Sequence, residues 1–278
     1  MNSNGIAVIG LGAIGGSLMR ALAAHDVALC GYDVDPACVA RAQSDGFAAQ
    51  LWTGRLTDDC GTVVIAAPVR QRVTILAALA RSGDYALVTY VGSTKRLISV
   101  AAEQHGLGHC FAGSHPLAGT QASGWHAGRA DMFEGSRVFV CPTSESSERA
   151  MSAAVSLWQG VGGVVERISA NEHDTRMAWA SHLPQLTASA LGLALRKAGL
   201  GRAQLGPGGY DMTRLAGSDP EIWTDIAATN ADLLDAPLEE LIRQLREMRR
   251  YLRSGNEIAI GRAQQMAQAW YAQDTQKR

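Results

Sequence analysis

Short apolar runs rich in Val and Ile recur as far as residue 168: "GIAVIG", "VALCGYD", "TVVIAAP", "YALVTYVG", "RVFVCP" and "GGVVERIS". Runs that are apolar at successive positions suit strands buried on both faces, and the longer Ala-rich stretches between them suit crossover helices. The pattern therefore predicts a parallel-sheet α/β domain. From about Asn171 the strand pattern stops, and the chain reads "NEHDTRMAWASHLPQLTASALGLALRKAGL", "DPEIWTDIAATNADLLD" and "PLEELIRQLREMRRYLRSG", followed by one more helical stretch. Helical periodicity then governs. The expected organisation is a Rossmann-type dinucleotide-binding domain over residues 1–168 and an all-α domain over 169–278.

Punctuation refines the helical half. Gly199 and Gly201 stop one helix, Asp219-Pro220 starts another, and Pro237 is expected in a first helical turn, which tolerates proline. Pro184 falls inside a helical pattern, so a kink is expected there. The cluster "TSESSER" at 143–149 reads as a loop entering a helix.

The first apolar run leads directly into Gly10-Leu11-Gly12-Ala13-Ile14-Gly15, and Asp33 closes the second run 18 residues beyond Gly15. A strand, a tight glycine turn and a helix N-terminus form a place for a pyrophosphate, and an acidic residue at the end of the second strand accepts hydrogen bonds from a ribose 2′-hydroxyl. A carboxylate there repels a 2′-phosphate, and no arginine follows until Arg41, so NAD is favoured over NADP. Ala67 and Pro68 end the "TVVIAAP" run where open α/β sheets bind ligands. Pro68 reads equally well as simple strand termination.

Composition removes other classes. With 278 residues, 47% hydrophobic and 18% charged, the chain has the makings of an ordinary globular protein of two domains. Its 25 basic residues balance 26 acidic ones, which gives no reason to expect nucleic acid or a membrane surface as partner. The glycine-laced apolar start has no Lys or Arg before it, so no targeting segment is expected. No stretch reaches the roughly 20 unbroken apolar residues of a membrane helix. The five cysteines are scattered without a C-x-x-C, so no metal site is expected, and reduced thiols in the cytoplasm are the economical reading.

Polar residues capable of chemistry collect in four segments: "VTYVGSTK" at 88–95, "GSHPLAGTQASG" at 113–124, "EHDTRMAWASHLPQL" at 172–186 and "GPGGYDMTRLAGSDPEIW" at 206–223. On residues alone, His115 reads either as a packed histidine or as a group that handles a proton. The core His-Pro-Leu-Ala-Gly-Thr, together with V-G-S, F-E-G (Phe133-Glu134-Gly135), H-D (His173-Asp174), S-H-L-P and T-R-L-A-G-S-D-P in that order, resembles the prephenate and arogenate dehydrogenases of tyrosine biosynthesis, the cyclohexadienyl dehydrogenase (TyrA) family. The resemblance spans nearly the whole chain.

That resemblance implies an NAD-dependent oxidoreductase and a homodimer paired through its helical half. In the family reaction hydride passes from ring C4 to NAD, carbon dioxide leaves C1 and the ring becomes aromatic. It casts His115 as the group that relieves the C4 hydroxyl of its proton and Ser93 as its hydrogen-bonding neighbour close to the nicotinamide. Pro116 favours extended backbone at His115 and so fixes where the ring points. Arg214 is cast as the carboxylate-binding residue, with a bidentate fork suited to that task, and Asp211 and Trp223 stand beside it; whether they act in their own subunit or across the dimer is open. His182, Gln185, Thr120, Gln121 and Asp174 complete the implied substrate set. The remaining histidines, His173 among them, read as structural or exposed.

Three positions depart from the family pattern. Gln185 stands where many members have the last histidine of H-L-P-H, Gln121 where A-G-T-E is common, and Tyr90 where V-T-D-V-G-S has aspartate. A neutral amide at 185 leans the expectation toward arogenate or acceptance of both substrates. Asp174 suits either an incoming amine or a helix N-terminus. A β-hydroxyacid dehydrogenase would need a lysine on the first long helix of the second domain, and Lys197 sits instead near a helix end. Two alternatives stand beside the main reading: a relative acting on a 4-amino prephenate analogue in secondary metabolism, and a non-catalytic NAD-binding protein.

Overall fold

The computed structural model describes residues 5–57, 60–68, 71–119 and 122–275. The chain runs β1 (Gly5–Ile9), α1 (Ala13–Leu22), β2 (Leu29–Asp33), α2 (Pro36–Ser44), β3 (Ala49–Leu51), β4 (Cys60–Ile65), α3 (Arg72–Leu79), β5 (Leu87–Tyr90) and α4 (Arg96–Gln104). It continues through β6 (Ala112–Pro116), β7 (Arg137–Pro142), α5 (Glu148–Gly160), β8 (Val164–Arg167), α6 (Ala170–Met177), α7 (Leu183–Lys197), α8 (Pro207–Met212), α9 (Pro220–Arg253) and α10 (Glu257–Thr275).

The first five strands form a parallel sheet in the order β3-β2-β1-β4-β5. Alternate residues of β1 feed two separate cores. Val8 packs with Leu18, Met19 and Trp158 on one face, whereas Ala7 and Ile9 pack with Ile75, Leu76 and Ile98 on the other. Burial on both faces is what made these strands read as unbroken apolar runs.

Two strands fall outside the expected set. β3 is a three-residue edge strand. β6, Ala-Gly-Ser-His-Pro, has none of the β-branched residues that mark strands, and its conformation comes from its neighbours. It pairs with β7, Thr89 Oγ1 meets Ser114 Oγ at 2.8 Å, and an isolated parallel bridge joins Val88 to Phe111. The β6–β7 pair is antiparallel, which corrects the expectation of parallel strands throughout.

The two prolines of the helical half show where its helices are irregular. The helical run that contains Pro184 carries a π-helical turn, Ala178–His182, just before it, and Pro184 enters in the first turn of α7. Pro237 lies inside α9, seven residues past Asn230, whose φ of −135° and ψ of 18° break the helix. Asp219 starts α9 as expected, accepting the Glu221 N–H at 2.9 Å, and Gly199 ends α7 with φ of 77°.

The chain divides into two compact units, Met1–Asn230 and Ala231–Arg278. The first includes the sheet and the helices from α6 to the break in α9. This division marks where contacts thin out; the change from strands to helices comes near residue 168.

Candidate functional site

The glycine turn follows β1. Gly10 adopts φ of +100°, and a Cβ there would lie 2.6 Å from the Ala66 backbone; a Cβ on Gly15 would lie 1.9 Å from the Gly10 carbonyl oxygen. Both positions therefore require glycine for the turn itself. Gly12 is different: it starts α1 with no side-chain cap, and a Cβ there would meet no atom of the described residues within 4 Å. An uncapped helix N-terminus beside open space fits a pyrophosphate. Leu11, Ala13 and Ile14 complete the turn, and the Leu11 N–H donates to Asp33 Oδ2 at 2.6 Å. Asp33 Oδ1 accepts the Asp35 N–H at 2.9 Å. Each Asp33 oxygen keeps a second lone pair for a ribose hydroxyl. Ala67 is buried and Pro68 exposed just after β4.

His115 occupies the fourth position of β6, opposite Phe139 of β7, and is half-buried. Its Nδ1 lies 2.8 Å from Nε2 of His173, and His173 Nδ1 lies 2.7 Å from Asp174 Oδ1. Asp174 is fully buried on α6, yet it caps another helix. Its two oxygens accept the backbone N–H groups of Lys95 and Arg96 at 2.8 and 2.9 Å, at the start of α4, which has no side-chain cap of its own. The Arg96 guanidinium stands 3.5 Å away. Burial pushes the Asp174 carboxyl upward, but the hydrogen bonds from His173, Arg96 and Lys95 outweigh it and hold the group below the usual carboxylate range. A buried carboxylate is tolerated because it is paired in this way.

This chain of contacts fixes protons. An ionised Asp174 can only accept, so His173 carries its proton on Nδ1 and accepts with Nε2. His115 must then donate from Nδ1, which leaves its Nε2 lone pair free. Burial lowers the His173 pKa despite the opposing hydrogen bond to Asp174. Burial, reinforced by His173, Lys95 and His182, holds the His115 imidazole well below its usual range. His115 is thus neutral at pH 7 with an unprotonated nitrogen available, the state a general base needs.

Beneath this chain, Lys95 is fully buried, its Nζ donating to the Tyr90 carbonyl at 2.9 Å and standing 4.8 Å from the Tyr90 ring centroid. Burial brings its pKa down to about 7. Tyr90, one of the departures, is itself buried, and burial pushes its phenol up to about 12 against the opposing Arg72 guanidinium. The ring thus lies against the lysine ammonium, where a neutral phenol replaces the carboxylate of the family pattern.

His182 is 1% exposed in the π-helical turn, edge-on to the half-buried Trp223 with ring centroids 5.9 Å apart. Burial brings its pKa down to about 4, and its Nε2 has no hydrogen-bond partner among the described residues. Ser93 is half-buried in the loop between β5 and α4. Arg214 and Asp211 are exposed, Arg214 opening a 3₁₀ turn that continues to Gly217.

Two candidate substrate contacts are redirected. Asp174 is not available to an incoming amine, because its oxygens are taken by α4 and His173. Gln185 is 4% exposed; its Nε2 donates to the Leu215 carbonyl at 2.8 Å and its Oε1 accepts from Ser218 Oγ at 3.3 Å. It holds the turn that carries Arg214. Thr120 and Gln121 lie outside the described residues. His173 is the residue that sequence reasoning missed; its only signal was the adjacent H-D pair, which by itself says nothing about facing His115. Among the described residues no cluster has the makings of a metal site, and no helix is long and apolar enough to cross a membrane.

Family models bear on the whole of this arrangement. Residues 18–167 match the prephenate dehydrogenase nucleotide-binding domain, and residues 169–264 match the prephenate dehydrogenase dimerization domain. The chain belongs to the prephenate dehydrogenase family. It is 31% identical over 88% of its length to the cyclohexadienyl dehydrogenase of Zymomonas mobilis, covering 87% of that protein. The prephenate dehydrogenase of Aquifex aeolicus, crystallised with hydroxyphenyl propionate and NAD+, superposes with a TM-score of 0.87 at 26% identity, covering 98% of this chain and 99% of that one. The arogenate dehydrogenase of Synechocystis superposes with a TM-score of 0.81 at 25% identity, covering 96% and 98%. For a prephenate dehydrogenase family member the histidine of "GSHPLAGT" is thus a strand residue wired to a buried carboxylate. Similarity to 3-hydroxyisobutyrate dehydrogenases is a matter of fold alone, at 15% identity and a TM-score of 0.59.

Proposed function

We propose that this protein catalyses the NAD-dependent oxidative decarboxylation of prephenate, arogenate or both, giving 4-hydroxyphenylpyruvate or tyrosine. The observation that carries the reading is the hydrogen-bonded chain His115–His173–Asp174, which leaves one lone pair on His115 Nε2. NAD bound at the glycine turn supplies the hydride acceptor. His115 Nε2 takes the proton of the C4 hydroxyl as C4 gives up its hydride. The C1–carboxylate bond then breaks, its electron pair completes the aromatic ring, and the C4 oxygen recovers a proton from His115 as a phenol. The positive charge that passes through His115 is balanced by Asp174 at the far end of the chain.

Ser93, in the same loop as Lys95, supplies a second hydrogen bond to the C4 oxygen. Arg214 receives a substrate carboxylate, and Gln185 anchors its turn to α7, three positions along the chain from His182. The scattered cysteines, with no C-x-x-C among them, suit a reducing, cytoplasmic setting. Exposed Leu245, Met248 and Leu252 on α9, with Trp270 and Tyr271 on α10, are the surface we assign to a homodimer. The deciding assay follows NADH absorbance after prephenate or arogenate is added with NAD or with NADP. Turnover with NAD and at least one of the two substrates is expected; no turnover with either would overturn the reading.

A further inference from the structure

Asn230 is fully buried where α9 breaks, and its side chain touches three other elements. Its Oδ1 accepts from Arg96 Nη2 at 3.0 Å, at the start of α4. Its Nδ2 donates to the Asp174 carbonyl of α6 at 3.1 Å and lies 3.3 Å from His182 Nδ1 in the π-helical turn. The preceding residue docks beside it, with Thr229 Oγ1 at 3.1 Å from Thr94 Oγ1, in the loop that carries Ser93.

The orientation of this amide is over-determined. A guanidinium can only donate and a backbone carbonyl can only accept, so the oxygen must face Arg96 and the nitrogen must face Asp174. His182 Nδ1 therefore meets a donor and must itself accept. A neutral imidazole that accepts through Nδ1 carries its proton on Nε2. That Nε2–H is buried without a partner among the described residues, and a buried donor without an acceptor is costly.

We propose that Asn230 is a positioning residue of the site: it fixes the tautomer of His182, so that His182 presents a buried N–H donor to a carboxylate or carbonyl oxygen of the substrate. The identity of that acceptor rests on the proposed function, whereas the tautomer does not. A break in α9 here serves the purpose, because it coincides with the residue that reaches α4, α6 and the π-helical turn together. The arrangement is the counterpart of the His115 chain. There a carboxylate leaves the outermost histidine a lone pair; here an amide nitrogen leaves the outermost histidine a proton.

The test uses the full-length protein labelled with ¹⁵N at histidine, with the His182 signals assigned by comparison with His182→Gln. In the ligand-free wild type at neutral pH, His182 is expected to show a protonated Nε2 and an unprotonated Nδ1. Asn230→Asp places an acceptor against Nδ1 and should reverse that pattern, raising the KM for the substrate by ~10-fold while kcat and the KM for NAD stay within about two-fold, as for one lost hydrogen bond to a charged group. In a His182→Gln background the same change should leave the substrate KM unaltered. If Asn230→Asp does not fold, Asn230→Ala and the wild-type spectrum decide. A wild-type His182 protonated on Nδ1 would overturn the proposal, as would folded Asn230 variants with unchanged substrate KM. Loss of kcat, NAD affinity and substrate affinity in equal measure would mark a merely structural role and overturn it too. A protein that oxidises neither substrate yet shows the Nε2–H form would refute the activity and leave the tautomer assignment standing.

Discussion

The glycine turn and the histidine chain place polar groups by opposite means. The turn is built from six consecutive residues plus Asp33, only 22 positions from Leu11, and its demands are steric: a positive φ at Gly10 and no room for a Cβ at Gly15. The histidine chain is assembled from β6, α6 and the start of α4, through contacts that span 58 residues from His115 to His173 and 79 from Lys95 to Asp174. Its demands are about protons and burial. A local turn tolerates change elsewhere in the chain, whereas a relay depends on every member keeping its hydrogen-bonding role.

The sharpest way to separate the two is to remove the end of the relay. His115→Asn is expected to lower kcat by ~10² or more, the range of lost general-base catalysis. The dissociation constant for NAD, measured by fluorescence titration, should stay within about two-fold. A variant with near-normal turnover would take His115 out of the mechanism, and a matching loss of NAD affinity would join the two regions that the comparison separates.

The relay region should also dominate the acid stability of the protein. His182 titrates at about 4 when folded, against ~6.5 for an ordinary histidine. Between those values the unfolded chain binds more protons than the folded one, so stability is complete above about pH 6.5 and is lost as pH falls. For His182 alone the loss between pH 7 and pH 5 comes to about 2 kcal/mol, and lowered values at His115 and His173 add in the same direction. Urea midpoints at the two pH values measure it. His182→Phe should flatten the dependence, and equal slopes in variant and wild type would contradict the burial of a neutral histidine there.

The same contrast explains what could be read from the sequence. The parallel strands, the glycine turn, Asp33, the loss of strands near residue 168 and the start of α9 at Asp219-Pro220 were legible because each is local and periodic. β6 was not, because Ala-Gly-Ser-His-Pro becomes a strand only by pairing with β7. His173 looked like a bystander because its meaning lies in a ring 58 residues away. Asp174 was read as serving a ligand or a helix N-terminus, and the second holds, but the helix is α4 and not the α6 that carries it, a destination that no spacing within α6 could indicate. Pro237 drew attention to the wrong residue, since the break in α9 lies at Asn230.

Within the glycine turn, Gly12 distinguishes packing from ligand binding. Because a Cβ there meets nothing among the described residues, Gly12→Ala should leave the melting temperature within about a degree of the wild type, as for a surface change. The added methyl would occupy the space proposed for the pyrophosphate, so NAD affinity should fall by ~10-fold, on the scale of a small steric misfit. A large drop in melting temperature would mean that the turn needs glycine at 12 for folding. Unchanged NAD affinity would place the pyrophosphate elsewhere.

The smallest effect is expected at Gln185, where the lean toward arogenate began. If the residue faced the substrate side chain, Gln185→His would exchange a neutral amide for a group that can be positive, and the ratio of kcat/KM for prephenate over arogenate would rise by ten-fold or more, as for a new charge-assisted hydrogen bond. The amide instead spends its donor on the Leu215 carbonyl and its acceptor on Ser218, both in or beside the turn that begins at Arg214. A histidine can still donate to Leu215 from one nitrogen, so the turn should hold and the ratio should change by no more than about three-fold, the scale of a partly kept hydrogen bond. Both kcat/KM values should then fall together if the turn loosens, because the carboxylate we assign to Arg214 is common to the two substrates. A ten-fold shift in the ratio would return Gln185 to the ligand and make substrate choice a property of α7, whereas a common fall would make it a property of the turn that α7 holds.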